Sequence, residues 1–371
     1  MLQQDFFSHI TSHYQLQLPF VAYRHPNTST LKGLLQTNLK VNYVDDFDDS
    51  GFVFSPFNSE DKTVIFSAED CKSIQAEQEF SSDIFDSETP SVTSNITSDA
   101  HMQLVQKGID AILEHQFEKV VLSRVEPIAI SEAHPIHIFQ SLLKKYSSAF
   151  IYIWYHPNIG LWLGATPETL LQVEGQRFKT MSLAGTQVYK NSLEVDWDSK
   201  NLEEQKVVTM FIKNQLTPFV DQLIVAPTTT VKAGQLLHLQ SKISGRLKSG
   251  NLKEVIFALH PTPAVCGLPK NETKAFILEH ENYQREFYTG FLGELNFKTA
   301  KTRNTNRRNV ENNAYGIVQN QSRLYVNLRC MQIKDNKALI YVGGGITKDS
   351  NPQSEWKETQ QKLHTMASVL S

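Results

Sequence analysis

The chain has 371 residues, with 36 Lys plus Arg against 39 Asp plus Glu and a formal charge of -3. That balance supplies no footprint for nucleic acid or an anionic membrane, and the length provides about two domains or one large interlocked one. Three cysteines (Cys71, Cys266, Cys330) are too few and scattered for a disulfide framework or a thiolate metal site, and no apolar run is long enough to cross a bilayer.

The first stretch, MLQQDFFSHITSHYQ, carries no leader-like basic or apolar region, so a cytoplasmic protein with small-molecule partners is expected. PFVAYR, GFVFSPF and KTVIFSA then read as short strands separated by turn residues, with no constellation of catalytic groups. Residues 81–100 are rich in Ser, Thr and Asp and show neither the helical nor the strand period, which predicts an exposed linker. The boundary set there makes residues 1–99 a scaffold segment of the same fold and residues 100–371 the region that carries chemistry. Beyond it, AHMQLVQKGIDAILEHQ has helical spacing and FEKVVLSRVEPIAI is a strand rich in Val and Ile; AFIYIWY, HPNIG and LWLGAT read as strand, turn, strand. Further strands are expected in QRFKTMSLAG, QLIVAPTTTV, GFLGELNF, RLYVNLRCMQI and KALIYVGGG, and helices near 199–216, 251–259 and 353–370. Strands clustered around few helices predict an α+β protein with large, mainly antiparallel sheets flanked by helices. The polar run 299–313 joins two strands and lacks interleaved aromatics, so it reads as a surface loop and not a nucleic-acid patch.

Several side chains in this frame can carry chemistry. Lys119 shares a strand face with Val121 and Ser123, where burial penalises an ammonium; it is either a general base or a lysine whose head reaches water at the strand edge. Glu168, in GATPETLLQV, alternates with Leu170 on an apolar strand, so its carboxyl either stays protonated or pairs with a base. Glu204 starts the stripe Glu204, Val208, Phe211 on a helix; alternatively it forms a capping box with Asn201. HPTPAVCGLP suits a rigid loop bearing His260, GGGI at 343–346 lets backbone N–H groups approach an anion, and Arg329 is a candidate bidentate carboxylate ligand. In the last helix Glu355, Glu358 and Lys362 fall within roughly 60° of one another beside an apolar stripe of Trp356, Leu363, Ala367 and Leu370. Those acids either hold a hard cation or form a solvated surface pair.

KVVLSR, GATPETLL, SLAGT, the Glu204 helix, HPTPAVCGLP, FYTGFLG, LRC, GGGI and EWKETQQK occur in the order seen in the chorismate-binding enzymes, which the chain resembles over roughly residues 100–371. Within that family it looks most like the isochorismate synthases. Lys119 stands where water-adding members carry lysine and anthranilate synthases carry glutamine, and Ala184 stands where aminodeoxychorismate synthases carry a nucleophilic lysine. The resemblance implies that Lys119 activates water for attack at C2 of chorismate while Glu168 protonates the hydroxyl leaving C4. It also implies Mg2+ held by Glu204 and Glu358 with Glu355 nearby, and substrate carboxylates held by Lys362, Arg329 and the backbone at Gly343 and Gly345, with Thr186 and His260 lining the pocket. Gln205 departs from the histidine, and Asn201 from the acid, that many members carry there. No glutaminase subunit, nucleic acid or membrane partner is expected. The rivals are a salicylate synthase, which adds pyruvate elimination, and a catalytically silent chorismate binder.

Overall fold

The computed structural model describes residues 1–78, 98–130, 134–233, 236–248, 252–301 and 317–370. Among these, nine strands form one sheet in the order Gly267–Leu268, Lys119–Ala129, Lys337–Ile346, Cys330–Lys334, Gly160–Thr166, Phe150–His156, Phe20–Arg24, Thr30–Gln36 and Cys71–Glu77. The second sheet has ten, and its main path runs Val220–Val225, Leu236–Leu247, Arg177–Val188, Thr169–Glu174, Ile317–Val326, Phe291–Lys301, Gly51–Ser55, Thr63–Ser67 and Asn42–Val44. Thr229–Ala233 pairs beside that path with Leu236–Leu247. All the described pairings are antiparallel, in line with the expectation from strands clustered around few helices. Among the described residues seven α-helices accompany the sheets: α1 Gln3–Gln15, α2 Ser98–Leu113, α3 Pro135–Lys145, α4 Ser199–Leu216, α5 Leu252–Leu259, α6 Lys270–His280 and α7 Pro352–Ala367.

Among the described residues four clusters of apolar side chains hold this arrangement, one of them packing α2 and α6 against Lys119–Ala129 through Val105, Ile277 and Leu122. Between the sheets lies an aromatic layer, in which Phe54 stacks on Phe287 (ring centroids 4.1 Å apart) and Phe150 on Tyr325 (4.2 Å). The outer face of the nine-stranded sheet is covered by α1, α3 and α7 through Phe6, Phe139 and Leu363. The outer face of the ten-stranded sheet is covered by α4 and α5 through Val208, Ile212 and Ile256. Residues before 79 supply strands to both sheets, Phe20–Arg24 pairing with Phe150–His156 and Gly51–Ser55 with Phe291–Lys301. Most of the expected linker, 81–97, and most of the expected surface loop, 302–313, lie outside the described residues.

Two expected strands are each broken in two. QLIVAPTTTV divides around Pro227, which has no N–H for a ladder. RLYVNLRCMQI ends in one sheet at Val326 and restarts in the other at Cys330, because residues 327–329 cross between the sheets and Arg329 takes a φ of 47°.

Glu294 sits in the sandwich away from the cavity described below. It is 2% exposed and accepts from Tyr23 Oη (2.7 Å) and Lys32 Nζ (2.8 Å), with His25 Nε2 at 3.1 Å. Burial pushes its carboxyl up, but His25 and Lys32 outweigh that and hold it well below the usual carboxylate range. A carboxyl lowered on folding contributes stability above its unfolded pKa and loses it as pH falls through the folded value. Glu294→Gln is therefore expected to cost about 3 kcal/mol near neutral pH and less in acid, read from urea denaturation at the two conditions.

Candidate active site

A cavity of about 320 Å³ opens at the seam between the sheets, with α4 and α7 contributing to its wall. Two connections that cross from one sheet to the other meet there. Pro167 and Glu168 link Gly160–Thr166 to Thr169–Glu174, and residues 327–329 link Ile317–Val326 to Cys330–Lys334. The crossings are stitched together by Ala165 N–H donating to Arg329 O and Val326 N–H donating to Glu168 O, both at 3.0 Å. Glu168 thus belongs to a crossing and not to a strand interior, and it reaches the same cavity as Arg329.

Each of these two groups is tuned by its surroundings. Glu168 is 4% exposed; burial raises its carboxyl to about 8, even though the nearby Lys119 charge pulls it down. Arg329 is half-buried; loss of solvent around it lowers its guanidinium to about 10, and its NH2 group donates to His238 Nε2 at 2.8 Å. His238 Nδ1 stands 2.7 Å from Gly185 O. With Nε2 accepting, Nδ1 carries the proton and donates, so the ring is neutral. Burial and then the Arg329 charge push the imidazole down to about 3, in keeping with that form.

Three carboxylates and three lysines interleave around the cavity. Lys119 Nζ, on the strand Lys119–Ala129, meets Glu204 Oε1 of α4 at 2.6 Å. Lys200 Nζ meets Glu355 Oε1 at 2.9 Å, and Lys362 Nζ meets Glu358 Oε1 at 2.7 Å while donating to Gly343 O at 2.8 Å. Burial pushes the Glu204 carboxyl up, but Lys119 first and then Lys362 and Lys200 bring it below its ordinary value. Glycines make room for these pairs. A Cβ at Gly345 would lie 2.8 Å from Glu204 Oε1 and 2.9 Å from Lys119 Cε, and one at Gly344 would lie 3.3 Å from Glu355 Oε2. Gly345→Ala is expected to displace the Lys119–Glu204 pair and cost about 100-fold in turnover with little change in melting temperature, measured by assay and thermal unfolding.

Of the residues singled out in the sequence, Glu168, Thr186, Glu204, Arg329, Gly343, Gly345, Glu355, Glu358 and Lys362 line the cavity, and Lys119 stands behind Gly345 through its pair with Glu204. His260 is not brought to that wall. It is buried on the loop after α5, edge-on to Phe291 with ring centroids 5.0 Å apart, and burial pushes it down to about 3. The capping-box alternative for Glu204 is also corrected. Asp198 caps α4, accepting from Asn201 N–H at 2.8 Å, and Asn201 Oδ1 instead accepts from Thr186 N–H at 3.1 Å. On α7 the buried stripe is Glu355, Thr359, Leu363, Met366 and Ala367, while Trp356 is displaced sideways over the Arg124 guanidinium at 4.3 Å. Sequence reasoning missed Lys200 and His238. The polar interruption in QLLHLQS was a signal for His238; Lys200, one turn before Glu204, had none beyond its helical offset.

Among the described residues no three His, Cys, Asp or Glu side chains converge at metal-binding spacing. Glu355 Oε2 is nevertheless buried without a hydrogen-bond partner and faces the same cavity as Glu204 and Glu358. An all-carboxylate donor set with one unsatisfied buried oxygen fits a hard divalent cation.

Residues 41–368 match the chorismate binding enzyme family, and the chain belongs to it. The match runs through the expected boundary at residue 99. The chain is 30% identical over 278 residues to the isochorismate synthase MenF of Pasteurella multocida, covering 72% of this chain and 60% of that protein. It is 28% identical over 286 residues to the isochorismate synthase EntC of Escherichia coli strain K12, covering 72% and 66%. These matches span less than two thirds of the relatives' length. The structure of MenF, the menaquinone-specific isochorismate synthase from Escherichia coli, superposes with a TM-score of 0.75 at 19% identity, covering 95% of this chain and 89% of that one.

Proposed function

We propose that this protein is an isochorismate synthase, acting on chorismate by water addition at C2, a shift of the ring double bonds and loss of the C4 hydroxyl as water. The observation that carries this reading is a lysine and a carboxyl protonated near neutral pH serving one cavity, since the reaction needs one base and one acid. Lys119 rests as an ammonium paired with Glu204 at 2.6 Å; once it has released that proton to solvent, its neutral amine takes the proton from the attacking water. Glu168 gives its proton to the C4 oxygen. Arg329, held by His238, joins Lys362, Thr186 and the backbone at Gly343 and Gly345 in receiving the two substrate carboxylates. Ala184 lines the cavity without a nucleophile, and Lys119 stands where anthranilate synthases carry glutamine; together they favour water over ammonia as the attacking group.

Glu204, Glu355 and Glu358 would hold Mg2+. When bound, the ion supplies a Lewis-acid grip on the ring carboxylate. Residues 1–99 act as scaffold, since the cavity wall is drawn from Val121 onward. The free thiols of all three cysteines accord with a cytoplasmic setting.

Incubation of purified protein with chorismate, with Mg2+ or with EDTA, followed by identification of the product, tests the reading. Isochorismate formed only with Mg2+ is expected. No turnover would overturn the proposed activity, and salicylate with pyruvate would move it to the rival reaction. Glu355→Gln is expected to lower Mg2+-dependent turnover at least ~10-fold, with an unchanged circular dichroism spectrum.

A further inference from the structure

A second, larger concavity of about 960 Å³ lies beside the cavity and shares three of its elements. Val188 and Leu236 are directly paired and lie two residues along their strands from Thr186 and His238. At about 3.3 Å per residue this places them some 7 Å outward. On α7 the same concavity takes Lys357 and Gln361, the chain neighbours of Glu358 and Lys362. Tyr146 lines it on the side of Arg329. This ring is buried, donates to Thr365 O at 2.6 Å and interacts electrostatically with Arg329, so the two spaces are separated by little more than one side chain.

The charge of this outer space is one-sided. Among the described residues Lys145, Lys232, Lys357 and His364 line it and no Asp or Glu does, in a protein whose net charge is negative. Lys232 is anchored with its Nζ 3.6 Å from the centre of the Tyr189 ring, and Lys145 is tethered to Ser368 Oγ at 2.6 Å. The cations are therefore held at the rim, not spread through solvent. Inside, each lysine is matched by a carboxylate; here, among the described residues, none is.

We propose that this groove is the electrostatic vestibule of the active site, a concentrating surface for a small dicarboxylate on its way to Arg329. The proposal rests on the chorismate reading and deepens it. Attraction between the rim and a doubly charged anion raises the local concentration of substrate at the seam, and it is screened by salt because the rim lysines face water.

The test is the ionic-strength dependence of KM for chorismate in the double variant Lys232→Glu and Lys357→Glu. Reversing two rim charges is expected to raise KM about three- to tenfold at low salt, to leave kcat within about twofold, and to bring the variant within about twofold of the unaltered protein at ~0.5 M salt. A control with the same charge change far from the groove, Lys40→Glu and Lys72→Glu, is expected to shift KM by less than about twofold. Equal KM values for the groove variant and the unaltered protein at low salt would overturn the vestibule. So would an equal effect from the control pair. If neither protein turned over chorismate, the proposed activity would fail first, a result distinct from turnover that is insensitive to the rim. Folding of the variants is checked by circular dichroism, and a groove variant that failed to fold would be replaced by Lys232→Gln with Lys357→Gln, for which about half the logarithmic shift is expected.

Discussion

Glu168→Gln is expected to lower kcat by about 10²–10⁴-fold with a much smaller change in KM, because a general acid acts in the transition state and the amide keeps the ground-state shape. The pH dependence sharpens this. The acid works while protonated, so activity of the unaltered protein should fall as pH rises through about 8, the value to which burial lifts this carboxyl. The Gln variant should lack that descending limb. A loss confined to KM would make Glu168 a binding residue. The same carboxyl also bears on stability. Between its unfolded value near 4.3 and about 8 the folded chain keeps a proton that the unfolded chain has released, so this group's contribution falls as pH rises across that window. Glu168→Gln removes the penalty, and urea denaturation near the upper end of the window should find the inactive variant more stable than the parent.

Lys119→Gln should abolish isochorismate formation, with a loss of at least ~100-fold if proton removal from water contributes in its usual range. The substitution also takes away the ammonium 2.6 Å from Glu204, whose carboxyl should then titrate higher than in the parent. Ammonia needs no deprotonation before it attacks. Ammonium salts at alkaline pH are therefore expected to restore some turnover as an aminated product, detectable by mass spectrometry. Near-parental isochorismate formation by the variant in amine-free buffer would remove Lys119 from the mechanism.

The readability of this site in the sequence follows the range of each interaction. The spacing of Glu355, Glu358 and Lys362 is a local property of one helix, and the Glu358–Lys362 pair forms at 2.7 Å. Which acid is the more deeply placed was not local: Glu355 is 3% exposed because α7 turns that side to the sheet, displacing Trp356. Glu204 looked equally able to cap its own helix, and what decides against it is a lysine 85 residues earlier. Arg329 was visible as a residue type, but its place was hidden. A run as strand-like as RLYVNLRCMQI conceals a change of sheet, which depends on where two other strands end. His260 shows the converse, a loop legible from its prolines whose side chain packs against Phe291 and not into the cavity. The roles assigned to Lys119 and Glu168 came from the order of motifs, and no periodicity in the strands would have supplied them.

The paired crossings have a mechanical meaning as well as a chemical one. Because Ala165 and Val326 tie the two connections together at the point where Glu168 and Arg329 emerge, the groups proposed to handle substrate are rivets between the sheets. Neither sheet alone can present them. Their relative placement is fixed by the thickness of the aromatic layer, in which Trp154, Trp162 and Phe54 act as spacers. Thinning that layer at a distance would change the span between the proposed proton donor and proton acceptor, so under the proposed reaction the tolerance for change in this interior is set by the dimensions of the chemistry.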